Sequence, residues 1–517
     1  MTQEEALTIL KTGANAFLTG EPGSGKTYTI NRYIAWLRER GVEPAITAST
    51  GIAATHVGGM TVHSWSGIGI KRDLTEWDLE ALLEREPLVR RVRAAKVLII
   101  DEVSMLDAQL LTLVDRATRT LRGQELPFGG LQVIFVGDFF QLPPVSKGEA
   151  SKFAFESPSW DEANLIYCYL SEQHRQEDDA FLQLLGALRA GELDTVHYEM
   201  LQARAQEPKD ALVTRLFPHN ADVDRINDAA LATIAAPARV FAMQSEGATP
   251  LVEALRRGCL SPEVLNLKEG ASVMFTRNNF EHGYVNGTLG TVTGWSTQGF
   301  PLVKTRGGVI EASPEEWRID DRARTLAKIT QVPLRLAWAI TVHKSQGMSL
   351  DAALMDLSQA FEYGQGYVAL SRVRALEGLY LSGFNQRALE VHPAILERDM
   401  DFKKLSDGAR TGFAAMPAAE VAALQKQFLA AIGGKDPAEI KKEKESGEGL
   451  SRLQKMRQKH PNAYKAWSAD DDTRLTEMFT ASAKVSTLVK EFGRQRGAIN
   501  ARLIKLGLID PDDSSDL

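Results

Sequence analysis

Residues 15–30 read NAFLTGEPGSGKTYTI, and the octet GEPGSGKT fills positions 20–27. An apolar run ends in a glycine-rich turn, and a helix-compatible run follows. That order fits the phosphate-loop pattern G-x-x-x-x-G-K-[ST]. Gly23 and Gly25 let the backbone curl until successive N–H groups face one point, and the next helix adds its positive end. Lys26 is expected to reach the β- and γ-phosphates of ATP, and Thr27 to offer its hydroxyl to Mg²⁺. Gly20, Gly23, Ser24, Gly25, Lys26 and Thr27 form the expected nucleotide cradle.

Outward from the loop the theme repeats. EPAITAS (43–49), AKVLIIDE (95–102) and LQVIFVGD (131–138) are short apolar runs, each followed by a helical stretch. Such runs imply parallel strands joined by crossover helices, an α/β arrangement. VLIIDE would deliver two carboxylates to the sheet edge where α/β folds bind ligands. Asp101 is expected to hold Mg²⁺ through water, and Glu102 to orient or deprotonate the attacking water. On its own the pair would equally suit the cap of the next helix; the phosphate loop decides between the two. PFGGLQVIFVGDFFQLPPV (127–145) would be a neighbouring strand. Gln141 then falls beside the γ-phosphate, and Pro143 and Pro144 make a stiff corner able to pass its position to a bound polymer. The plainer reading of that corner is a turn that stops the strand.

The chain has 517 residues, 44% of them hydrophobic, enough for three or four domains. A net charge of -7 gives no global attraction to nucleic acid, so any such claim must be local. Cys168 and Cys259 have no metal-ligand or redox spacing. No apolar run approaches the roughly 20 residues that cross a bilayer, and MTQEEAL lacks an export signal. A soluble cytoplasmic protein without membrane partners is expected. LVTRLFPHNADVDRINDAALATI (212–234) restarts the strand–turn–helix theme, whereas residues 265–320 alternate between Gly turns like a small antiparallel barrel.

Taken together, the motifs resemble the petite-integration-frequency (Pif-type) helicases of superfamily 1B. The signature region is LVDRATRTLRGQELPFGGLQVIFVGDFFQLPPV; TASTGIAATHVGGMTVHSW (47–65), LSEQHRQED (170–178), LAWAITVHKSQGMSLD (336–351) and GQGYVALSRVRALEGL (364–379) match further family motifs. The match covers about residues 1–405, in the family's order. It implies two RecA-like P-loop NTPase domains with parallel sheets and ATP between them. The first would span 1–171, with a strand-separating wedge near 66–77. The second would span 172–245 and 333–405, with an SH3-like β-barrel insertion at 246–332. A helix and charged linker would follow at 406–449.

The resemblance also implies roles. Gln3 would read adenine, and Gln346 and Gly347 would meet the nucleotide. Arg175 and Arg372 would touch the γ-phosphate across the cleft, where a guanidinium fork meets charge building on phosphoryl oxygens. Thr50, His63 and Ser64 on one domain, and Thr341, His343 and Lys344 on the other, would hold single-stranded DNA. Trp65 would stack a base or belong to the core. The implied activity is 5′-to-3′ DNA unwinding by a monomer on single-stranded and forked DNA, with G-quadruplexes as possible substrates, in replication, repair or telomere-like maintenance. In a prokaryote it would associate with the nucleoid.

The C-terminal part reads differently. Residues 435–505 carry 16 Lys/Arg against 10 Asp/Glu. Three short helices are expected within 450–510, with Ser468 and Asp471 capping the first, and an acidic tail at 511–517. The last helix sets Arg494, Arg502 and Lys505 around an apolar stripe. It resembles a helix-turn-helix or Myb-like unit, with Arg494 and Arg502 facing DNA; a protein-binding bundle is the alternative. Two readings of the whole stay open beside the helicase: a RecD-like or RNA translocase motor, and an ATP-switched DNA-binding or annealing factor that unwinds nothing.

Overall fold

The computed structural model describes residues 1–69, 71–144, 152–172, 178–208, 213–279, 281–321, 324–440, 460–463, 467–481 and 483–509. They form two compact units, residues 1–433 and 434–517.

In the first unit six parallel strands make the first lobe: β1 (Ala16–Gly20), β2 (Ala45–Ala48), β3 (Met60–Thr61), β4 (Val97–Asp101), β5 (Gln132–Val136) and β6 (Ile166–Leu170). Their spatial order is β3-β2-β4-β5-β1-β6. Strands β1 and β5 are buried along their whole length, as expected of parallel strands covered by helices on both faces. The register aligns Leu18 with Val136 and Ile100 with Phe135, so the C-terminal ends of β1, β5 and β4 open side by side. Strand β5 lies directly between the phosphate-loop strand and the strand ending in Asp101.

A second lobe holds four parallel strands in the order Ala339–Thr341, Thr214–Phe217, Ala353–Leu357, Leu379–Phe384. Between its first two strands in sequence lie antiparallel strands from Arg239 to Leu336, as expected of an inserted β module. They divide among sheets of five, three and two strands. The helix Thr249–Gly258, with Pro250 in its first turn, stands among them and was not expected from the alternating pattern.

Beyond the second lobe the chain returns to the first. The helix Pro393–Ala415 sets Phe402 against Phe17 and Tyr167, both with ring centroids 5.3 Å away. Ser406 Oγ accepts from the β6 amide of Tyr169 at 3.0 Å. The next helix, Ala418–Ala431, reaches the N-terminal helix Gln3–Leu10, where Gln425 Nε2 donates to Thr8 O at 3.1 Å.

The second unit packs helices Ala469–Thr480, Val485–Phe492 and Arg496–Lys505 around Leu475, Leu488, Ile499 and Leu503. The expected capping box is present: Ser468 Oγ accepts from Asp471 N at 3.0 Å, and Asp471 Oδ2 accepts from Ser468 N at 3.2 Å. Most of the linker and the whole acidic tail lie outside the described residues. Among the described residues no helix is long and apolar enough to cross a membrane.

Candidate active site between two lobes

The loop after β1 wraps a point in space. Gly20, Gly23 and Gly25 all have positive φ, at 143°, 90° and 88°. A Cβ on Gly25 would lie 2.0 Å from Gln3 Nε2, so only glycine admits the Gln3 side chain, which donates to Ser24 O at 3.2 Å. Lys26 Nζ turns back onto Gly20 O (2.8 Å) and Glu21 O (3.0 Å), and burial lowers its pKa. Ser24 Oγ is buried without a hydrogen-bond partner among the described residues. A cation hydrogen-bonded to loop carbonyls beside the carboxylates of Asp138, Glu102 and Asp101, and an unsatisfied hydroxyl, are what a phosphate group would complete. Thr27 is exposed at the mouth of the site.

Asp101 ends β4, and Glu102 follows in the left-handed region at φ 52°. That conformation is costly for a side-chain-bearing residue and aims the carboxylate along the sheet edge. Burial raises both carboxyl pKa values, and the Asp101 charge raises that of Glu102 further. Gln141, beyond the end of β5, is 8% exposed. Gln346 arrives from the second lobe, and its Nε2 donates to Glu102 Oε2 at 3.0 Å and to Gln141 Oε1 at 3.3 Å. One amide thus gathers the two first-lobe groups best placed to handle a water molecule.

A cavity of about 1120 Å³ joins these groups, lined by the phosphate loop, Glu102 and Gln141 on one side and by Gly347, Ser349, Arg372 and Arg374 on the other. Arg372 is 2% exposed, and its Nε donates to Val368 O at 2.7 Å. The second lobe therefore contributes a buried guanidinium to a pocket floored by the first. Arg175 lies outside the described residues.

The residues expected along a DNA track fall at helix starts and turns. Thr50 Oγ1 accepts from Ala53 N at 3.2 Å, and Ser64 N donates to Thr61 Oγ1 at 3.3 Å. His63 and His343 are half-buried, and burial holds both below the usual imidazole pKa. Thr341 is 2% exposed, and its hydroxyl accepts from Lys344 N at 3.3 Å. Burial and the nearby Arg335 lower the Lys344 pKa. Pro143 is half-buried and Pro144 buried. Trp65, at 2% exposure, is a core residue, which removes the base-stacking alternative. The wedge region holds the turn after the short helix Val62–Ser66 and the start of the helix Glu76–Leu83, which Thr75 caps.

In the C-terminal unit the expectation needs correction. Arg494 is buried, with its guanidinium 4.2 Å over the Trp467 ring and 3.6 Å from Asp471. Arg502 forks onto Asp472 at 2.7 and 2.5 Å. Both cations are neutralised inside the unit, whereas Lys484, Lys490, Arg496 and Lys505 are exposed.

Comparison with known proteins bears on this geometry. Residues 3–198 match the family described as PIF1-like helicase, and residues 251–295 match the DNA helicase Pif1 2B domain. The ATP-dependent DNA helicase Pif1 of Psychrobacter sp. is 43% identical over 497 residues, spanning 84% of this chain and 75% of that one. The chain belongs to the PIF1-like helicase family. A second PIF1-like relative, ATP-dependent DNA helicase Pif1 of Bdellovibrio bacteriovorus, is 37% identical and covers 78% of this chain and 92% of its own. The crystal structure of Pif1 helicase from Candida albicans superposes with a TM-score of 0.64 at 33% identity, covering 77% of this chain and 98% of that chain. That of Bacteroides Pif1 in complex with ADP-AlF4 gives 0.66 at 29% identity, covering 79% and 97%.

Sequence reading missed one constellation at the seam of this PIF1-like fold. Asp138, at the end of LQVIFVGD, is fully buried and paired with Arg189, which is itself 4% exposed. The signal for it was an arginine in the mostly apolar run FLQLLGALRA, 181–190.

Proposed function

We propose that this PIF1-like helicase hydrolyses ATP at the seam between its lobes and uses the resulting lobe movement to travel 5′-to-3′ on single-stranded DNA and unwind duplexes. The observation that carries the reading is the Gln346 amide bridging Glu102 and Gln141 at the mouth of the phosphate loop. Residues of both lobes meet there, so the state of the terminal phosphate and the spacing of the lobes cannot vary independently.

The steps follow from the side chains. The loop amides and Lys26 bind the phosphates, Lys26 exchanging its carbonyl acceptors for phosphoryl oxygens. Glu102 takes a proton from the attacking water, which Gln141 orients. Arg372 meets charge on the γ-phosphoryl oxygens as the lobes close, and Arg175 is proposed beside it; such arginines contribute roughly 10³–10⁵ in rate. Thr27 and Asp101 would hold Mg²⁺, which when bound neutralises the phosphate charge.

Single-stranded DNA would lie along Thr50, His63 and Ser64, then Thr341, His343 and Lys344, with Pro143 and Pro144 between the strand and Gln141. Half-buried neutral imidazoles, hydroxyls and a single lysine suit a grip that must release. The related Bacteroides protein has been crystallised with single-stranded DNA, which supports this partner here. The exposed cations Lys484, Lys490, Arg496 and Lys505 support a second, duplex-facing contact in the C-terminal unit. We place the protein as a cytoplasmic monomer on nucleoid DNA, acting on forks and G-quadruplexes in replication or repair.

Unwinding assays with 5′-tailed and 3′-tailed duplexes and a G-quadruplex, each with ATPase rates with and without single-stranded DNA, test the reading. Separation of 5′-tailed duplex with DNA-stimulated hydrolysis is expected. Stimulated hydrolysis without strand separation would instead favour the switch-like DNA-binding factor.

A further inference from the structure

The helix Asp179–Ala190 of the second lobe carries a buried arginine that reaches into the first lobe. Arg189 Nη1 donates to both carboxylate oxygens of Asp138, at 2.8 and 2.9 Å, and to Tyr367 OH at 3.0 Å. Its Nη2 donates to Tyr169 OH at 2.9 Å and lies 3.5 Å from Asp399 Oδ1. The guanidinium also sits 4.0 Å over the Phe140 ring. One side chain therefore touches the end of β5, the end of β6, the helix Gln365–Leu370 that precedes Arg372, and the returning helix Pro393–Ala415.

The contact with Asp138 matters because of what Asp138 holds. Its Oδ1 accepts from Phe140 N at 3.2 Å, and its carbonyl accepts from Gln141 N at 3.0 Å. Gln141 stands on a turn whose first residue is clamped by Arg189. The second lobe abuts the same turn again at Gly364, where a Cβ would fall 2.4 Å from Phe140 O and 2.8 Å from Gln141 O. Burying a guanidinium costs more than burying a leucine of similar reach, so adhesion alone does not call for one here. A fork with fixed donor directions does something apolar packing cannot: it ties the direction of one carboxylate to the position of one helix.

We propose that Arg189 is a positioning residue that carries second-lobe movement to Gln141, so that DNA held across both lobes sets the hydrolysis rate. The inference rests on the coupling role given to Gln141 above. Arg189 touches neither nucleotide nor DNA; it acts through Asp138.

The test uses the full-length protein and ATPase rates with and without an oligothymidine. Arg189→Lys keeps the charge and loses the fork, and Tyr367→Phe removes one acceptor with little change of shape. With Arg189→Lys, stimulation by DNA should fall about tenfold, within the usual range of inter-site coupling. KM for ATP and the unstimulated rate should stay within about twofold. Tyr367→Phe should move the same quantity in the same direction by a smaller factor. In a Gln141→Ala background Arg189→Lys should add little, because both act on one path. Equal loss of stimulated and unstimulated rates would mark a merely structural role and overturn the proposal. So would full stimulation in a folded Arg189→Lys protein, or losses that multiply with Gln141→Ala. If Arg189→Lys fails to fold, Tyr367→Phe decides by the same criteria. Absence of DNA stimulation in the parent protein would overturn the motor reading itself, and this proposal with it.

Discussion

The amide of Gln346 lies 3.0 Å from the carboxylate of Glu102, a bond between residues 244 positions apart that spans the two lobes. The groups joined are the expected base and a second-lobe side chain beside the nucleotide cavity; the amide holds Oε2 of Glu102, which leaves the other carboxylate oxygen to accept a proton from water. Glu102→Gln keeps the shape and removes the base. Hydrolysis should fall roughly 10²–10⁴-fold, while a fluorescent ATP analogue binds with affinity within a few-fold of the parent. Steady-state turnover and an equilibrium titration measure the two separately.

Arg372 donates hydrogen bonds to Val368 O, Ser371 Oγ and, at 3.4 Å, Met348 O. Truncation would strand those groups, so Arg372→Lys is the cleaner change. It keeps one charge and loses the planar fork. Turnover should drop by at least about tenfold with nucleotide affinity nearly unchanged, as read by single-turnover hydrolysis. A matched loss of affinity would place the arginine in ground-state binding instead.

Gly25 leaves no room for a side chain, since its Cβ would meet Gln3 Nε2 at 2.0 Å. Its φ of 88° adds backbone strain for any other residue. Gly25→Ala should weaken ATP binding by more than about tenfold while melting within a few degrees of the parent. Isothermal titration beside a thermal scan checks both.

Phe402 is 2% exposed and lies among Phe17, Phe139, Phe155 and Tyr167. Phe402→Ala should cost about 3–5 kcal/mol of stability, the usual range for deleting a fully buried aromatic ring. Chemical denaturation would read it. The returning helix should lose its hold on the first lobe before the sheets unfold, seen as early hydrogen exchange in 393–415.

Asp472 accepts two hydrogen bonds from Arg502, which hold its carboxyl below the usual aspartate pKa. A folded value below the unfolded one means the pair supports the unit fully above the unfolded pKa. That support is lost as pH falls through the folded value. Hydrogen-exchange protection of the helix Arg496–Lys505 should be lower in Asp472→Asn than in the parent at pH 7, and the two should converge in strong acid. Equal protection at pH 7 would mean the pair contributes nothing.

Much of this architecture could be read from the chain because its signals are local. Continuous apolar runs mark β1, β4 and β5, a glycine pattern marks the phosphate loop, and a serine three residues ahead of an aspartate marks a capping box. Spatial order was not legible: no property of residues 132–136 says that they lie between β1 and β4. The Asp138–Arg189 pair escaped because its partners are 51 residues apart and a charge in an apolar run announces neither partner nor direction. Arg494 and Arg502 misled because a cation near an apolar stripe looks the same in sequence whether it faces solvent or lies over Trp467. The helix Thr249–Gly258 was hidden by the alternating, glycine-punctuated strands around it.

The helix Pro393–Ala415 brings the chain back to the lobe it left after Leu170, where Ser406 bonds to Tyr169. The chain leaving the second lobe is thus tied to the first through Tyr169 and through the rings around Phe402. Together with the Arg189–Asp138 and Gln346–Glu102 contacts, that return leaves the second lobe few ways to turn against the first. For the motor proposed above, fewer directions of swing would mean that less of each hydrolysis event is spent on movements that do not advance the strand.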